Sequence, residues 1–509
     1  MSIVVSLGVV RMVASRASAH NFDYASLLRR ARTLAQRPFQ AQRRMPVIGA
    51  FSYDQYRAIH FRPSRTLWPH RRFHLQFFAP GYRFVRAVRI HIVTGHRVAA
   101  VPFVLARFRY PEGLYPHVLP AHMGYVGFRV LYSGYHPGVS PAATNNQVIV
   151  FLGASYFRAK GADEQFGLSA RALAIDTIDS RPEEFPHFIA YWIRRPHLRA
   201  RVITVYALMN SPSATAAFRF RIAPGRAVKV AVRSTFFLRR AVHELGFAPL
   251  SSMYMYDLCD RRPWAYLRPA VHDSEGFLLK TRRNVRWRQL ANPAQVRQFL
   301  FPTRHLQGFG LIQRDRHFSD YESVSMAYQR RPSVWIRPRG SWGPGQATLV
   351  EIPSPNETND NIAVFWQPAH EPRKLVPYPL NYDLVWNGSG PRESVARVRE
   401  TLASARVPRR PTRFVVLFTG RMLARFKPER LSAQLHCGKG GVFSHTSLRM
   451  IKPDVAQLRF RVLAKDGRAV RVTARLVAGG RTISEVWDYV LAPQEPPIQV
   501  LNRPAQGHR

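Results

Sequence analysis

The feature that most narrows what this chain can fold into is a repeated two-residue alternation. Val85 to Val93, Phe128 to Tyr132, Val202 to Leu208, Phe218 to Ile222 and Val228 to Val232 each alternate apolar with polar or basic residues. Successive side chains of a strand point to opposite faces, so this period describes strands with one face buried. Turns such as Ala223-Pro224-Gly225 punctuate the runs. Helical spacing is confined to two places. Asp23 to Gln36 sets Tyr24, Leu27, Leu28, Ala31, Leu34 and Ala35 on one face, with Asp23 as cap and Pro38 as stop. Asn292-Pro293 predicts a second helix through about Phe301, with Asn capping and Pro in the first position. Strands do not alternate with helices, so an all-β sandwich of two long antiparallel sheets fits better than an α/β fold.

A chain of 509 residues exceeds one ordinary core. The composition shifts at Asn387-Gly388-Ser389-Gly390-Pro391, and polar, Arg-rich sequence follows to Pro411. Residues 20–390 are therefore read as one large unit, 391–411 as a linker, and 412–503 as a second unit. Its short alternating strands are Phe414 to Phe418, Leu458 to Val462, Val470 to Leu476 and Val486 to Tyr489, with turns at Asp466-Gly467 and Gly479-Gly480. The simplest sandwich of that size is immunoglobulin-like. Residues 1–19 resemble a secretory signal: Ile3 to Val10 is a short apolar run and Ala17-Ser18-Ala19 a cleavage-like site, although no Lys or Arg precedes the run. Export is the expectation, with no membrane span. Two distant cysteines, Cys259 and Cys437, exclude a disulfide framework and a cysteine-built metal site.

The net charge of +46 invites a nucleic-acid reading. Against it, the arginines are spread along the chain at alternating positions such as Arg219 and Arg221, as on solvated sheet faces. No nucleic-acid motif is present. An anionic partner such as a substituted polysaccharide is one explanation of the charge. An arginine-rich proteome, or one adapted to an acidic exterior, is another.

One stretch stands apart, Leu349 to Trp366. Apolar runs flank a turn packed with Asn, Asp and Glu, and Pro353 and Pro355 exclude regular helix or central strand there. The turn is expected to be a loop fixed between two sheet edges. Glu357 and Asp360 stand three apart in a chain with only 30 acidic residues against 76 basic ones. The bland reading is an Asx-rich turn whose side chains satisfy its own backbone. The Asn-x-Ser/Thr sequons at Asn356 and Asn387 are read as chance matches.

Several blocks, taken together and in order, resemble the periplasmic glucan biosynthesis protein G/D family. They are Phe151-Leu-Gly-Ala-Ser-Tyr-Phe-Arg158, Phe166-Gly-Leu-Ser-Ala-Arg171, Ala174-Ile-Asp-Thr177, Glu183-Glu-Phe-Pro186, Asn210-Ser-Pro-Ser213, Leu245-Gly-Phe-Ala-Pro-Leu250, Val271-His-Asp-Ser274 and Gly308-Phe-Gly-Leu-Ile-Gln-Arg-Asp-Arg316. The likeness runs from Tyr53-Asp-Gln-Tyr-Arg57 to the C-terminal unit. It implies a large galactose-mutarotase-like β-sandwich followed by the immunoglobulin-like one, a periplasmic location, and a part in making osmoregulated glucans with a β-1,2-linked glucose backbone. It also implies inverting β-1,2-glucanase activity in a cleft of the larger unit.

Inverting hydrolysis needs a protonated carboxyl at the leaving oxygen and a second carboxylate that activates water. The Glu357-Thr-Asn-Asp360 segment resembles the family's catalytic loop, with Asp360 on its general-acid position. Glu357 is its charged neighbour or a relay member, Asp273 the candidate base, and Tyr328 a proton carrier or water holder. The bland alternatives are a capping role for Asp273 and a core role for Tyr328. Trp335, Trp342 and Trp366 are stacking candidates for sugar faces, each equally suited to a core. Arg314 either pairs with Asp315 or contacts sugar hydroxyls. His272 is read as structural, since no second ligand lies at metal spacing; no metal and no cofactor are expected. Asn356 stands where the family often has Asp, and Ala270 where Glu is common, so the local acidity is reduced. Expected partners are β-1,2-glucan, with or without anionic substituents, and a membrane glucosyltransferase, but no nucleic acid. The rival from another class is a non-catalytic glucan-binding scaffold that assists such a glucosyltransferase.

Overall fold

The computed structural model describes residues 22–45, 51–114, 123–178, 182–260, 267–388, 390–404, 410–465 and 469–491, and the structural statements below concern those residues. The signal-like segment and the Asp466-Gly467 turn lie outside them.

The alternation builds two facing sheets. One runs, in order of pairing, through Phe73–Phe78, Gly127–Tyr132, Gln147–Leu152, Phe157–Ala159, Ser169–Ala170, Leu245–Ser252, Ile362–Pro368, Gly345–Glu351 and Arg297–Thr303. The other carries the long hairpin Ala214–Ala223 with Val228–Leu238 at its centre. On that hairpin Phe218, Phe220 and Ile222 are fully buried, Arg219 is half-buried and Arg221 reaches solvent. The inner faces meet through aromatics: Phe151 lies 5.4 Å from Phe220 and Phe236 lies 4.9 Å from Phe247, ring centre to ring centre. Such pairs add to the hydrophobic gain and fix the sheets' spacing. The helix Tyr24–Ala35 covers the outer face of the second sheet, burying Leu27 and Ala31 against Trp192, Tyr206 and Phe237. Asp23 caps it in a reciprocal capping box with Ser26.

The helix expected from Asn292 to Phe301 does not form. Residues Arg297–Thr303 are a strand, paired antiparallel with Gly345–Glu351. Phe299, Phe301 and Thr303 are good strand formers, and an available sheet neighbour outweighs a local capping signal. The run from Val85 is also shorter than expected, since its strand spans Arg89–Thr94. The acidic loop is not held between two sheet edges. Gly345–Glu351 and Ile362–Pro368 pair with each other, ending at Glu351 opposite Ile362, and both lie inside the sheet.

In the C-terminal part, Arg397–Ala403, Thr412–Thr419, Val455–Ala464 and Gly441–Lys452 form a four-stranded sheet. The first of these falls within the stretch read as a linker. Facing it are Leu431–Cys437, Val470–Ala478 and Val486–Leu491, and this sheet continues into the large one. The joint is a parallel pairing in which Arg286, Trp287 and Arg288 stand opposite Val486, Trp487 and Asp488. Asp488 is fully buried there, with Arg286, Arg288 and Arg471 at 2.6, 3.4 and 2.5 Å. These cations hold its carboxyl below the usual range despite burial. Cys259 and Cys437 are both free.

Candidate active site

The loop between Glu351 and Ile362 is pinned from beneath by two asparagines. Asn292 accepts from the Ser354 N–H and donates to the Ser354 carbonyl, each at 2.9 Å. Asn361 makes the matching pair with the backbone of Tyr254, accepting at 2.8 Å and donating at 2.9 Å. Above these pins, Asn356 Oδ1 accepts from the Thr358 N–H at 3.0 Å and from the Thr358 hydroxyl at 2.5 Å. The Asx turn expected from composition is therefore present, and it sets the backbone on which Glu357 and Asp360 are displayed.

Glu357 is held on two sides. Tyr328, fully buried, donates its hydroxyl to Glu357 Oε2 at 2.9 Å, and Arg268 pairs with the same oxygen at 2.8 Å. Burial, followed by the Glu357 charge, pushes the Tyr328 hydroxyl far above its ordinary pKa, so it stays protonated and remains a donor. The Arg331 guanidinium lies over the Tyr328 ring, 4.4 Å from its centre, and also hydrogen-bonds Asp273 Oδ1. Asp273 sits in a tight turn after Val271–His272, and its backbone N–H donates to Met253 O at 2.8 Å. Burial lifts its carboxyl to about 6 against the pull of Arg331, and the Asp360 charge pushes in the same direction as burial.

Asp360 remains open to solvent while protein crowds its carboxyl on the other sides. Desolvation raises its pKa, and Arg158, Arg171 and Arg331 oppose that rise. Arg171 is itself committed to Glu183 at 2.5 Å. Asp273, Asp360, Glu357 and Tyr328 are thus gathered around Arg331, although the first two stand 87 positions apart in the chain (360 − 273). Arg158 and Arg171 end two of the sequence blocks quoted above, which was the sign in the sequence that could have placed them near this loop. Arg331 and Arg268 had no comparable signal.

The other expected contacts are elsewhere. Trp366 is fully buried and Trp342 packs 6.2 Å from it, donating its indole N–H to Asn381 O at 3.1 Å. Trp335 is 7% exposed and packs in the cluster that serves the C-terminal part. An apolar ring at an interior register position is drawn into the core, so Trp366 offers no platform face, and Trp335 shows only a margin to the cavity it lines. Arg314 does not pair with Asp315. It makes a two-pronged contact to Glu485, at 2.7 and 2.9 Å, and lies 3.6 Å over the Trp287 ring. Its part is to join the two halves of the chain.

Comparison with known proteins agrees with the residues. The sequence profile of the family described as "Periplasmic glucan biosynthesis protein, MdoG" matches residues 22–491. "Glucans biosynthesis protein G" of Ralstonia nicotianae is 36% identical over 94% of this chain and 98% of the relative. "Glucans biosynthesis protein D" of Stenotrophomonas maltophilia is 35% identical over 93% of this chain and 90% of its own length. "Glucans biosynthesis protein G" of Vibrio cholerae is 36% identical over 87% and 81%. A match over nearly every described element, at this identity, makes the chain a member of the periplasmic glucan biosynthesis protein family.

Proposed function

We propose that the protein acts in osmoregulated periplasmic glucan biosynthesis by cleaving the β-1,2-glucan backbone with inversion. The observation that carries this reading is the contrast at the loop: Asp360 is open to solvent yet has a raised pKa, beside a second carboxylate held by Arg331. Asp360 delivers its proton to the glycosidic oxygen as that bond to the anomeric carbon breaks. A water on the opposite face forms the new bond and gives its proton to ionised Asp273. Arg331 steadies Asp273 as the base. Tyr328 and Arg268 hold Glu357, and through it the loop, so that Asp360 keeps its place. In the free protein the Asp360 charge helps raise Asp273, so Asp273 takes up a proton first; docking of a sugar chain would displace water from Asp360 and raise its pKa, moving the proton to the acid position.

A second reading has its own observation. Three guanidinium groups act on Asp360 and favour its ionised form, which suits a scaffold that binds glucan, including anionic glucan, for a membrane glucosyltransferase. Incubation with linear β-1,2-glucan and measurement of new reducing ends separates the two. Release by the wild type and its loss in Asp360→Asn supports the enzyme. Binding without release supports the scaffold.

A further inference from the structure

His272 and Asp273 are neighbours in sequence with separate surroundings. His272 is fully buried, stacked on Tyr254 at 5.5 Å and edge-on to Tyr321 at 5.1 Å between ring centres. Its Nδ1 lies 2.9 Å from Gln313 Oε1. The Gln313 amide is oriented by its NH2 group, which donates to the carbonyls of His272 and Tyr328 at 3.0 and 3.4 Å. Oε1 therefore accepts from a protonated Nδ1, and the lone pair resides on Nε2. Among the described residues no hydrogen-bond partner reaches that Nε2. A buried imidazole nitrogen with its lone pair unused is a costly arrangement unless a donor or an ion meets it.

Two carboxylates share the compartment. A ring nitrogen of His272 and one oxygen each of Asp257 and Asp315 lie within 4.8 Å of one another. Asp257 accepts from the Leu258 N–H at 2.6 Å and from the Gln289 amide at 3.4 Å. Among the described residues, neither Asp257 nor Asp315 has a Lys or Arg at ion-pair distance, in a chain with 76 basic residues. Arg314, adjacent to Asp315, is engaged by Glu485. A third acid, Glu275, is buried nearby and accepts the Arg314 N–H at 3.1 Å.

We infer that His272, Asp257 and Asp315 bind a divalent transition-metal ion of the Zn2+, Co2+ or Mn2+ class, a structural centre adjoining the catalytic residues. One imidazole with two carboxylates suits these ions, whereas Ca2+ and Mg2+ favour all-oxygen sets and soft ions favour sulfur. Donors around one ion at about 2.1 Å stand roughly 3–4 Å apart, so small side-chain rotations close the set. Gln313 supplies the outer hydrogen bond that fixes the tautomer and aims Nε2. Because Asp273 follows His272 directly, loading the ion would also fix the backbone that carries the base.

The test uses the full-length protein, stripped with a chelator and then dialysed against Co2+, Mn2+, Zn2+, Mg2+ or Ca2+ alone. Bound metal is read by elemental analysis and by the cobalt absorption band, and the melting temperature is followed in parallel. The wild type is expected to retain about one more Co2+ than the Asp257→Asn/Asp315→Asn variant, to prefer Co2+ at least tenfold over Mg2+ or Ca2+, and to melt higher when loaded. The double variant should melt no lower than the metal-free wild type, since two unpaired carboxylates are gone, and should ignore added metal. His272→Gln, which keeps the buried volume, is the second variant and should lose the same equivalent. Equal Co2+ uptake by the wild type and His272→Gln overturns the inference, as does a wild-type melting temperature indifferent to all five ions.

Discussion

Two aspartates in this protein show how environment sets opposite behaviour for one side chain. Asp488, at the joint of the two sheets, meets Arg286, Arg288 and Arg471 and is held ionised. Asp360, on the pinned loop, feels Arg158, Arg171 and Arg331, but desolvation outweighs them and its pKa rises. The difference is contact. At Asp488 the guanidinium groups lie within 2.5 to 3.4 Å, while two of the three that act on Asp360 are engaged by other acids, Arg171 by Glu183 and Arg331 by Asp273. An arginine already committed to one carboxylate neutralises a second only weakly. Engaging local arginines elsewhere is thus one way for a chain this basic to keep a protonatable acid.

The most severe break of this contrast is Asp360→Asn. It should reduce glucan cleavage by roughly 10²–10⁴-fold with unchanged glucan binding. The sign of its stability effect is also fixed. A group whose pKa is raised by folding loses stability as pH rises through that pKa, so the amide variant should melt no lower than wild type at neutral pH. Calorimetry and reducing-end assays check both outcomes; full activity would remove Asp360 from the reaction.

Asp488→Asn should do the reverse, costing about 3–5 kcal/mol of stability by leaving buried cations unpaired, as read by denaturant unfolding. The activity of the remaining folded fraction should stay near wild type. Acid should mimic this substitution. Asp488 has a depressed pKa, so its contribution is present above the unfolded carboxylate value of about 3.9 and is lost as pH falls below it. A melting temperature flat from pH 5 to well below about 3 would contradict the pairing.

A smaller effect sharpens the comparison in the pH profile of kcat/KM. The acid limb should follow the carboxyl of Asp273, at about 6, falling as pH drops and the base protonates. Arg331→Met removes the cation that lowers that pKa, so the limb should move to higher pH; an unmoved limb would mean that Asp273 is not the base. Smallest is Asn292→Ala, which removes both Ser354 pins and should cost about 1–2 kcal/mol of stability, with a lower kcat as the loop loosens.

Local chemistry made much of this protein legible in its sequence. Period-two runs gave the strands because alternation depends only on neighbours in the chain, and Asp23 to Gln36 gave its helix because capping is equally local. The acidic loop was visible from its prolines and Asx residues. Where a local signal competed with a distant partner it failed, as at Asn292 to Phe301, where pairing with Gly345–Glu351 decided the outcome. The tryptophans followed the same rule, since an aromatic residue does not record whether its face meets sugar or a second sheet. Only the tertiary structure brought Asp273 to Asp360, Arg331 between them, and Asp488 among its arginines. Those meetings depend on register and sheet order between residues 17 to 202 positions apart, and no side chain carries that information by itself.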